Sequence, residues 1–160
     1  MPLLTLLEIP MSNKIKFYYQ YKNFNLRLKQ LLKEYISKIF KLEHTDFQKV
    51  IIIFCDDEYL LNLNVSFLKH DFYTDILTFI LSANTESLIG EIYISIERVR
   101  ENAGELSVSF KQELHRVIFH GILHMCNYKD DTRAAKQLMS KKEDFYLHKY
   151  FNNVSRGTFL

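Results

Sequence analysis

Six consecutive apolar residues, VIIIFC at positions 50–55, constrain the fold of this chain more than any other segment. The run is short and rich in β-branched side chains, and two aspartates follow it directly. A strand that is apolar on both faces belongs to a sheet that other layers cover on both sides. Residues 50–55 therefore predict a buried strand in a sheet that helices cover.

The rest of the chain switches between strand and helix periodicity. Alternating apolar residues predict a first strand over 14–21, and helical spacing of leucines and isoleucines predicts a helix over 25–42. The later predicted elements are helices over 58–67, 95–104, 109–126 and 132–150 and strands over 75–82 and 89–95. This order predicts an α+β fold in which helices cover a small, mixed, four-stranded sheet.

Length and composition narrow the function classes. The 160 residues predict a single domain over 1–160, and no apolar run approaches the roughly 18 residues of a membrane span. Segment 1–10 is apolar but lacks the charges of a secretory signal, so it is predicted to be disordered or a mis-assigned start, with Met11 as the true one. Two cysteines, Cys55 and Cys126, form no disulfide framework and favour a reducing cytoplasm.

The segment that carries chemistry ends the predicted helix over 109–126. His120 and His124 are four residues apart, so both imidazoles lie on one helix face and can reach one ion. Asn127 suits the left-handed turn that ends a helix, after which Asp130 or Asp131 can fold back as a third ligand. Two histidines and a carboxylate leave a coordination position open for water, as catalytic zinc sites do.

The same segment also bears on the identity of the ion, the class of enzyme and the general base. Zinc is the expected ion, although iron, nickel and manganese accept the same ligands. Zinc proteases place a glutamate directly after the first histidine, and Gly121 in that position argues against a protease. Asp131 and Glu91 are candidate general bases, and His115, turned away from His120 on the helix, is predicted to be a packed or surface histidine.

The stretch HGILHMCNYKD at 120–130 resembles the motif H-G-x-L-H-L-x-G-Y-D-H of the YbeY family. Met125 stands for the leucine, Asn127 for the turn glycine, and Asp130 for the third histidine, which makes this chain an HxxxHxxxxxD variant. Residues 61–79 and 89–103 resemble two further family segments, so that the resemblance covers roughly 50–150. By this register Asp130 is preferred to Asp131 as the third ligand.

The resemblance implies a zinc-dependent endoribonuclease that cuts single-stranded RNA. It also implies a cytoplasmic role in small-subunit rRNA maturation and ribosome quality control, with the small ribosomal subunit as a partner. One departure concerns an arginine of the family that is thought to help cleavage. Leu68 occupies its position here, and the neighbouring Lys69 supplies only a point charge in its place.

The charge distribution is uneven along the chain. Residues 14–49 contain nine lysines and arginines against three acidic residues, which is typical of a face that contacts an RNA backbone. The candidate contacts are Lys14, Lys16, Arg27, Lys29 and Lys33. An alternative function is a ribosome assembly factor with a structural metal and little or no catalysis, which Leu68 favours and the open coordination position opposes.

Overall fold

The computed structural model describes residues 10–82 and 87–157. Those residues form four strands and five α-helices. The strands are β1 (Ile15–Tyr19), β2 (Phe47–Cys55), β3 (Ile76–Ile80) and β4 (Leu88–Ser95). The helices are α1 (Lys29–Leu42), α2 (Asp57–Leu63), α3 (Ile96–Glu105), α4 (Phe110–Met125) and α5 (Arg133–Arg156). Apart from Pro10, the predicted disordered or mis-assigned start lies outside the described residues.

The sheet is mixed and has the order β1-β2-β4-β3. Strands β1, β2 and β4 run parallel, and β3 pairs antiparallel with β4. As predicted, the apolar run forms an inner strand, because Val50, Ile52 and Phe54 of β2 are fully buried. The predicted α+β fold with a small, mixed, four-stranded sheet is confirmed.

Helix α4 lies against one face of the sheet, where Gly121 allows a close approach. A Cβ atom at Gly121 would lie 2.9 Å from the Cδ1 atoms of both Ile76 and Ile92. Helix α5 packs against α4 in turn. On the other face, Cys55 and Leu60 belong to a second, smaller apolar cluster. The close contact at Gly121 fixes the distance between α4 and the sheet at the part of the helix that carries His120 and His124.

Three helix predictions are wrong at one end. Helix α1 begins at Lys29 rather than at residue 25, because Leu28 has a φ of 53° and its left-handed backbone cannot continue a helix. The predicted helix over 58–67 is α-helical only to Leu63 and continues as a π-helical turn, Asn64–Leu68. Helix α5 extends beyond the predicted residue 150 to Arg156.

Two simpler expectations can be compared with the structure. Both cysteines are free and buried, in agreement with the prediction of no disulfide. Among the described residues, no helix combines the length and the apolar character that a bilayer crossing requires. Burial raises the pKa of the Cys126 thiol to about 11, so this cysteine stays protonated at neutral pH.

Candidate metal centre

Helix α4 carries the two histidines in its last turns. The Ser109 hydroxyl caps its N-terminus by accepting a hydrogen bond from the Gln112 backbone N–H at 3.1 Å. At the other end, Asn127 has a φ of 68°, and the Tyr128 N–H donates to the Leu123 carbonyl at 3.0 Å. The prediction that Asn127 turns the chain is confirmed. This turn directs the following residues back toward the last turn of α4.

Three ligand atoms converge beside the C-terminal turns of α4. The Nε2 atoms of His120 and His124 lie 2.9 Å apart, and each lies 3.5 Å from Oδ2 of Asp130. Tetrahedral zinc ligands about 2.0–2.1 Å from the ion lie about 3.3–3.4 Å from one another. The three residues therefore form a group with the spacing that one metal ion requires.

The second nitrogen of each ring supports the same conclusion. His120 Nδ1 contacts a carboxylate oxygen of Glu143, and His124 Nδ1 lies 3.0 Å from the Tyr128 carbonyl. Since both Nδ1 atoms face acceptors, each neutral ring carries its proton there and presents a bare Nε2. Two bare lone pairs 2.9 Å apart repel each other unless a cation lies between them. The donor set fits a metal ion.

His124 is held in its neutral form. Burial lowers the pKa of His124, and the neighbouring His120 ring lowers it further. The opposing effect of Asp130 is smaller. A neutral imidazole is the form that binds a metal, so that the environment of His124 favours ligation.

A buried ionic network lies behind His120. Glu143 of α5 and Glu113 of α4 are almost fully buried, and Arg116 pairs with both. The guanidinium donates to the two oxygens of Glu113 at 2.8 and 2.6 Å and to Glu143 Oε2 at 3.2 Å. These hydrogen bonds, chiefly those to Glu113, raise the pKa of Arg116. The network connects the His120 ring to α5.

The partly buried carboxylate of Glu43 anchors the segment between α4 and α5. Glu43 accepts hydrogen bonds from the Tyr128 hydroxyl at 2.7 Å, from Lys142 Nζ at 2.8 Å and from the Tyr146 hydroxyl. Burial acts to raise the pKa of Glu43, but these three hydrogen bonds outweigh it and lower the pKa. The ionised Glu43 thereby fixes Tyr128, two residues before Asp130.

The ligand group opens onto a cleft of about 430 Å³. Its walls include Leu68, Thr74, Asp75 and Lys129 together with side chains of β3. Burial raises the pKa of Asp75, and its Oδ2 accepts a hydrogen bond from Asn102 Nδ2 at 3.1 Å. The cleft gives an extended ligand access to the metal-facing atoms.

The comparisons with known proteins agree on one family. The model of the family described as Endoribonuclease YbeY matches residues 14–151. This chain belongs to the YbeY family. Endoribonuclease YbeY of Flavobacterium johnsoniae is 43% identical over 130 residues, which are 81% of this chain and 92% of that protein. The protein of the same name from Karelsulcia muelleri is 40% identical over 133 residues, 83% of this chain and 93% of its own length.

A solved structure extends the similarity to the fold. The solution structure of TM1509 from Thermotoga maritima matches with a TM-score of 0.63 and 30% sequence identity. The match covers 89% of this chain and 93% of the other. The resemblance inferred from three short motifs is thus confirmed over most of the chain.

The other predicted site residues do not join the ligand group. Glu91 of β4 alternates with the buried Ile92 that packs under α4, so its side chain lies on the opposite face of the sheet, where it accepts from the Tyr93 hydroxyl at 2.7 Å. Asp131 is exposed. Lys69 is also exposed, with Nζ 3.4 Å from the Ser66 carbonyl. Roles for these three residues as bases or phosphate contacts stay predictions.

Four of the five predicted RNA-contact residues, all lysines, lie near β1 at the far edge of the sheet. Burial and the charges of Lys16 and Lys29 lower the pKa of Lys33, so these three lysines form a basic cluster on β1 and α1. Lys14 lies over the Phe47 ring nearby, and Arg27 lines a separate cavity of about 490 Å³. Strand β1 is the edge opposite β3, so the structure does not bring these residues together with the cleft.

Sequence reasoning missed several residues of the centre. Glu113 and Arg116 are spaced i,i+3 on the histidine helix, and that spacing is a signal for an ion pair. Lys129 lies next to a predicted ligand and supplies a cation to the cleft. Glu143 carried no signal, because it lies 23 residues beyond His120 and reaches it only through the packing of α5 on α4.

Proposed function

We propose that this protein is a metal-dependent endoribonuclease that hydrolyses single-stranded RNA. His120, His124 and Asp130 are the proposed ligands, and zinc is the proposed ion. The observation that carries the proposal is the pair of bare Nε2 atoms converging with the Asp130 carboxylate, in a chain of the YbeY family. When bound, such an ion supplies a Lewis acid for the phosphoryl oxygen and a water of lowered pKa.

The residues of the chain itself bind and orient the substrate in this mechanism. Glu143 and the Tyr128 carbonyl hold the protons of the two rings at Nδ1, which aims both Nε2 atoms at the same point. Lys129 in the cleft offers a positive charge to a phosphate. Residues of β3 and the three proposed ligands line the same cleft, so a bound RNA strand would lie along β3 with the scissile phosphate beside the ligand group.

We infer that the cellular role is small-subunit rRNA maturation and ribosome quality control in the cytoplasm, with the small ribosomal subunit as the partner. Family membership supports this role. Its test is the loss of the gene, which should cause unprocessed small-subunit rRNA to accumulate. Re-expression of the wild type should restore processing, and re-expression of a His124→Ala protein should not.

Leu68 supports a second candidate function, an assembly factor with a structural metal and little or no catalysis. Its side chain is 43% exposed and lines the cleft, at the position where the family motif has an arginine. An apolar side chain there offers a phosphate no hydrogen bond. The open cleft beside the ligands argues for catalysis, since a structural zinc site is closed by four protein ligands.

Metal content separates these possibilities at the first step. Elemental analysis of wild type, Asp130→Ala and the neighbouring control Asp131→Ala should give near-stoichiometric zinc in the wild type and the control only. Loss of zinc from Asp131→Ala instead of Asp130→Ala would correct the ligand assignment. A wild type that is metal-free and refuses added zinc would contradict the metal centre.

Cleavage of single-stranded RNA is the second step. Metal-loaded wild type should cut the RNA, and His124→Ala at equal concentration should not. Equal cleavage by both proteins would assign the activity to a contaminant. Metal binding by the wild type without any His124-dependent cleavage would favour the assembly factor.

A further inference from the structure

We propose that Glu143 is a positioning residue for the metal centre: its carboxylate fixes the ring of His120 and adds negative charge that strengthens metal binding. The inference rests on the proposed metal centre. It concerns a residue on α5 that belongs to none of the family-like motifs in the sequence. Glu143 touches no proposed substrate and acts only through His120.

The first observation is the burial of Glu143 and the division of its two oxygens. The residue is 5% exposed, so its carboxylate needs partners in the fold. Oε1 contacts Nδ1 of His120, and Oε2 accepts from Arg116 at 3.2 Å. Each oxygen thus has its own partner, and the oxygen on His120 has no competing donor from Arg116.

The second observation is that Arg116 is already engaged. Its guanidinium forms two hydrogen bonds with Glu113, which is 1% exposed, before it reaches Glu143 at the longer distance. Two buried carboxylates therefore share one guanidinium, and Asp75 Oδ2 lies 3.9 Å from it as well. The net charge of this group is negative, and Glu143 directs that charge at the His120 ring. A cation bound at Nε2 of His120 compensates it.

The third observation is the asymmetry between the two histidines. The Nδ1 of His124 faces a neutral backbone carbonyl, that of Tyr128, whereas the Nδ1 of His120 faces a carboxylate. A carboxylate behind an imidazole raises its basicity as a ligand and fixes its tautomer. The Tyr128 carbonyl fixes the tautomer of His124 but brings no charge, so that the loss of Glu143 should affect the His120 ring and leave the His124 ring in place.

A purely structural role for Glu143 makes a different prediction. Arg116 keeps its two hydrogen bonds with Glu113 when Glu143 becomes glutamine, and the amide can still occupy the same space. The metal-free Glu143→Gln protein should therefore unfold near the wild-type temperature. Its deficit should appear in metal affinity, which a structural role would not change.

The affinity for zinc tests the proposal directly. Competition with a chromophoric chelator should show affinity reduced by about 10–100-fold in Glu143→Ala, the usual range for such ligand-supporting groups. Glu143→Gln should fall between this variant and the wild type, because its amide oxygen still accepts from Nδ1 but carries no charge. Asp57→Asn, which removes a carboxylate from the ion pair with Arg98, is the matched control and should bind as the wild type does.

A metal-free readout tests the positioning itself. Long-range ¹H–¹⁵N spectra of the metal-free wild type should show His120 protonated at Nδ1, and Glu143→Ala should shift the proton toward Nε2. The His124 ring should keep its tautomer in both proteins. If Glu143→Ala does not fold, the zinc affinity of Glu143→Gln tests the proposal in its place, because the glutamine keeps an acceptor at Nδ1 but loses the charge.

The outcomes are distinguishable from failure of the proposed function. Zinc affinities of Glu143→Ala and Glu143→Gln within twofold of the wild type would overturn the role of Glu143 alone. An unchanged His120 tautomer in metal-free Glu143→Ala would do the same. A wild type that binds no zinc would refute the metal centre and, with it, this use of Glu143.

Discussion

At the scale of single residues, Gly121 is the position where packing and chemistry meet. It lies between the two histidines in sequence, but its hydrogen atoms face Ile76 and Ile92 of the sheet. No side chain fits there without displacing an isoleucine. A glutamate general base at this position, as in zinc proteases, is therefore excluded by the sheet as well as by the sequence.

Gly121→Ala should destabilise the protein by about 1–3 kcal/mol, the range for adding a methyl group to a packed core. Chemical denaturation measures this difference. Gly104→Ala is the control, because nothing lies within 4 Å of its added Cβ atom and alanine favours a helix by up to about 1 kcal/mol. Equal stability of Gly121→Ala and wild type would contradict the close contact between α4 and the sheet.

Leu68→Arg should accelerate cleavage of single-stranded RNA. The substitution places a guanidinium in the wall of the cleft that holds His120 and Asp130, where it can bind a phosphate with two hydrogen bonds. Val65→Arg adds the same charge to the same π-helical turn but outside the cleft wall. Equal acceleration by both variants would indicate a general effect of charge rather than a specific one.

At the scale of elements, α4 has a side-chain cap at its N-terminus and carries the metal ligands near its C-terminus. Ser109→Ala removes the hydroxyl that accepts from the Gln112 N–H and should lower the free energy of unfolding by about 1 kcal/mol. Ser109→Asp keeps an acceptor and should retain wild-type stability. Metal affinity should be similar in all three proteins, because the cap lies at the opposite end of the helix from His124.

The contact between α4 and α5 includes the buried His115. Its ring stacks on Tyr150 with centroids 4.9 Å apart, and its Nδ1 lies 2.7 Å from the Lys111 carbonyl. Of the two alternatives predicted for His115, packed or at the surface, the structure shows the packed one, with 4% of the residue exposed. Burial lowers the pKa of His115 from 6.5 to about 4.

This pKa implies an acid-sensitive contribution to stability. Between pH 6.5 and about 4 the unfolded chain protonates His115 and the folded chain does not, so stability falls as the pH falls through this window. The contribution is about 3 kcal/mol. Denaturation curves of His115→Phe should lack this loss, whereas the exposed-site control His148→Phe should retain it. A wild-type pH profile in His115→Phe would contradict the prediction.

At the scale of the whole molecule, the metal centre and the basic cluster of Lys16, Lys29 and Lys33 occupy opposite edges of the sheet. The cleft lies along β3, and the cluster lies on β1 and α1. Adjacent strands are spaced about 4.8 Å apart, so about 14 Å separates the two edge strands. An RNA that contacts both regions has to cross the sheet rather than lie within one pocket.

Lys29→Ala combined with Lys33→Ala should weaken RNA binding and reduce its dependence on salt. Each phosphate contact to a single strand contributes about 0.7 to the slope of log K against log salt, so that two lost contacts should lower the slope by about 1.4. Cleavage at saturating RNA should be unchanged, because neither lysine lines the cleft. An unchanged slope would identify the basic cluster as a solvated surface.

The sequence by itself determined the features that depend on local spacing. Apolar periodicity predicted the strands and helices in their correct order, and the buried run at 50–55 predicted an inner strand. The spacing of His120 and His124, the turn at Asn127 and the position of Asp130 predicted a ligand group whose atoms the structure brings together. These features were predictable because a helical turn or a tight turn brings its own residues close together whatever the rest of the fold does.

Only the tertiary structure decided which distant residues support that group. The sequence contains no local signal that Glu143 lies behind His120, that Glu91 faces away from α4, or that the basic cluster lies across the sheet from the cleft. Local periodicity also fails at the start of α1. Leu26 is buried at helical spacing, but the left-handed backbone of Leu28 prevents the helix from starting before Lys29. Contacts of this kind depend on which faces of packed elements meet, and that choice is made by burial of the whole apolar surface rather than by neighbours in the chain.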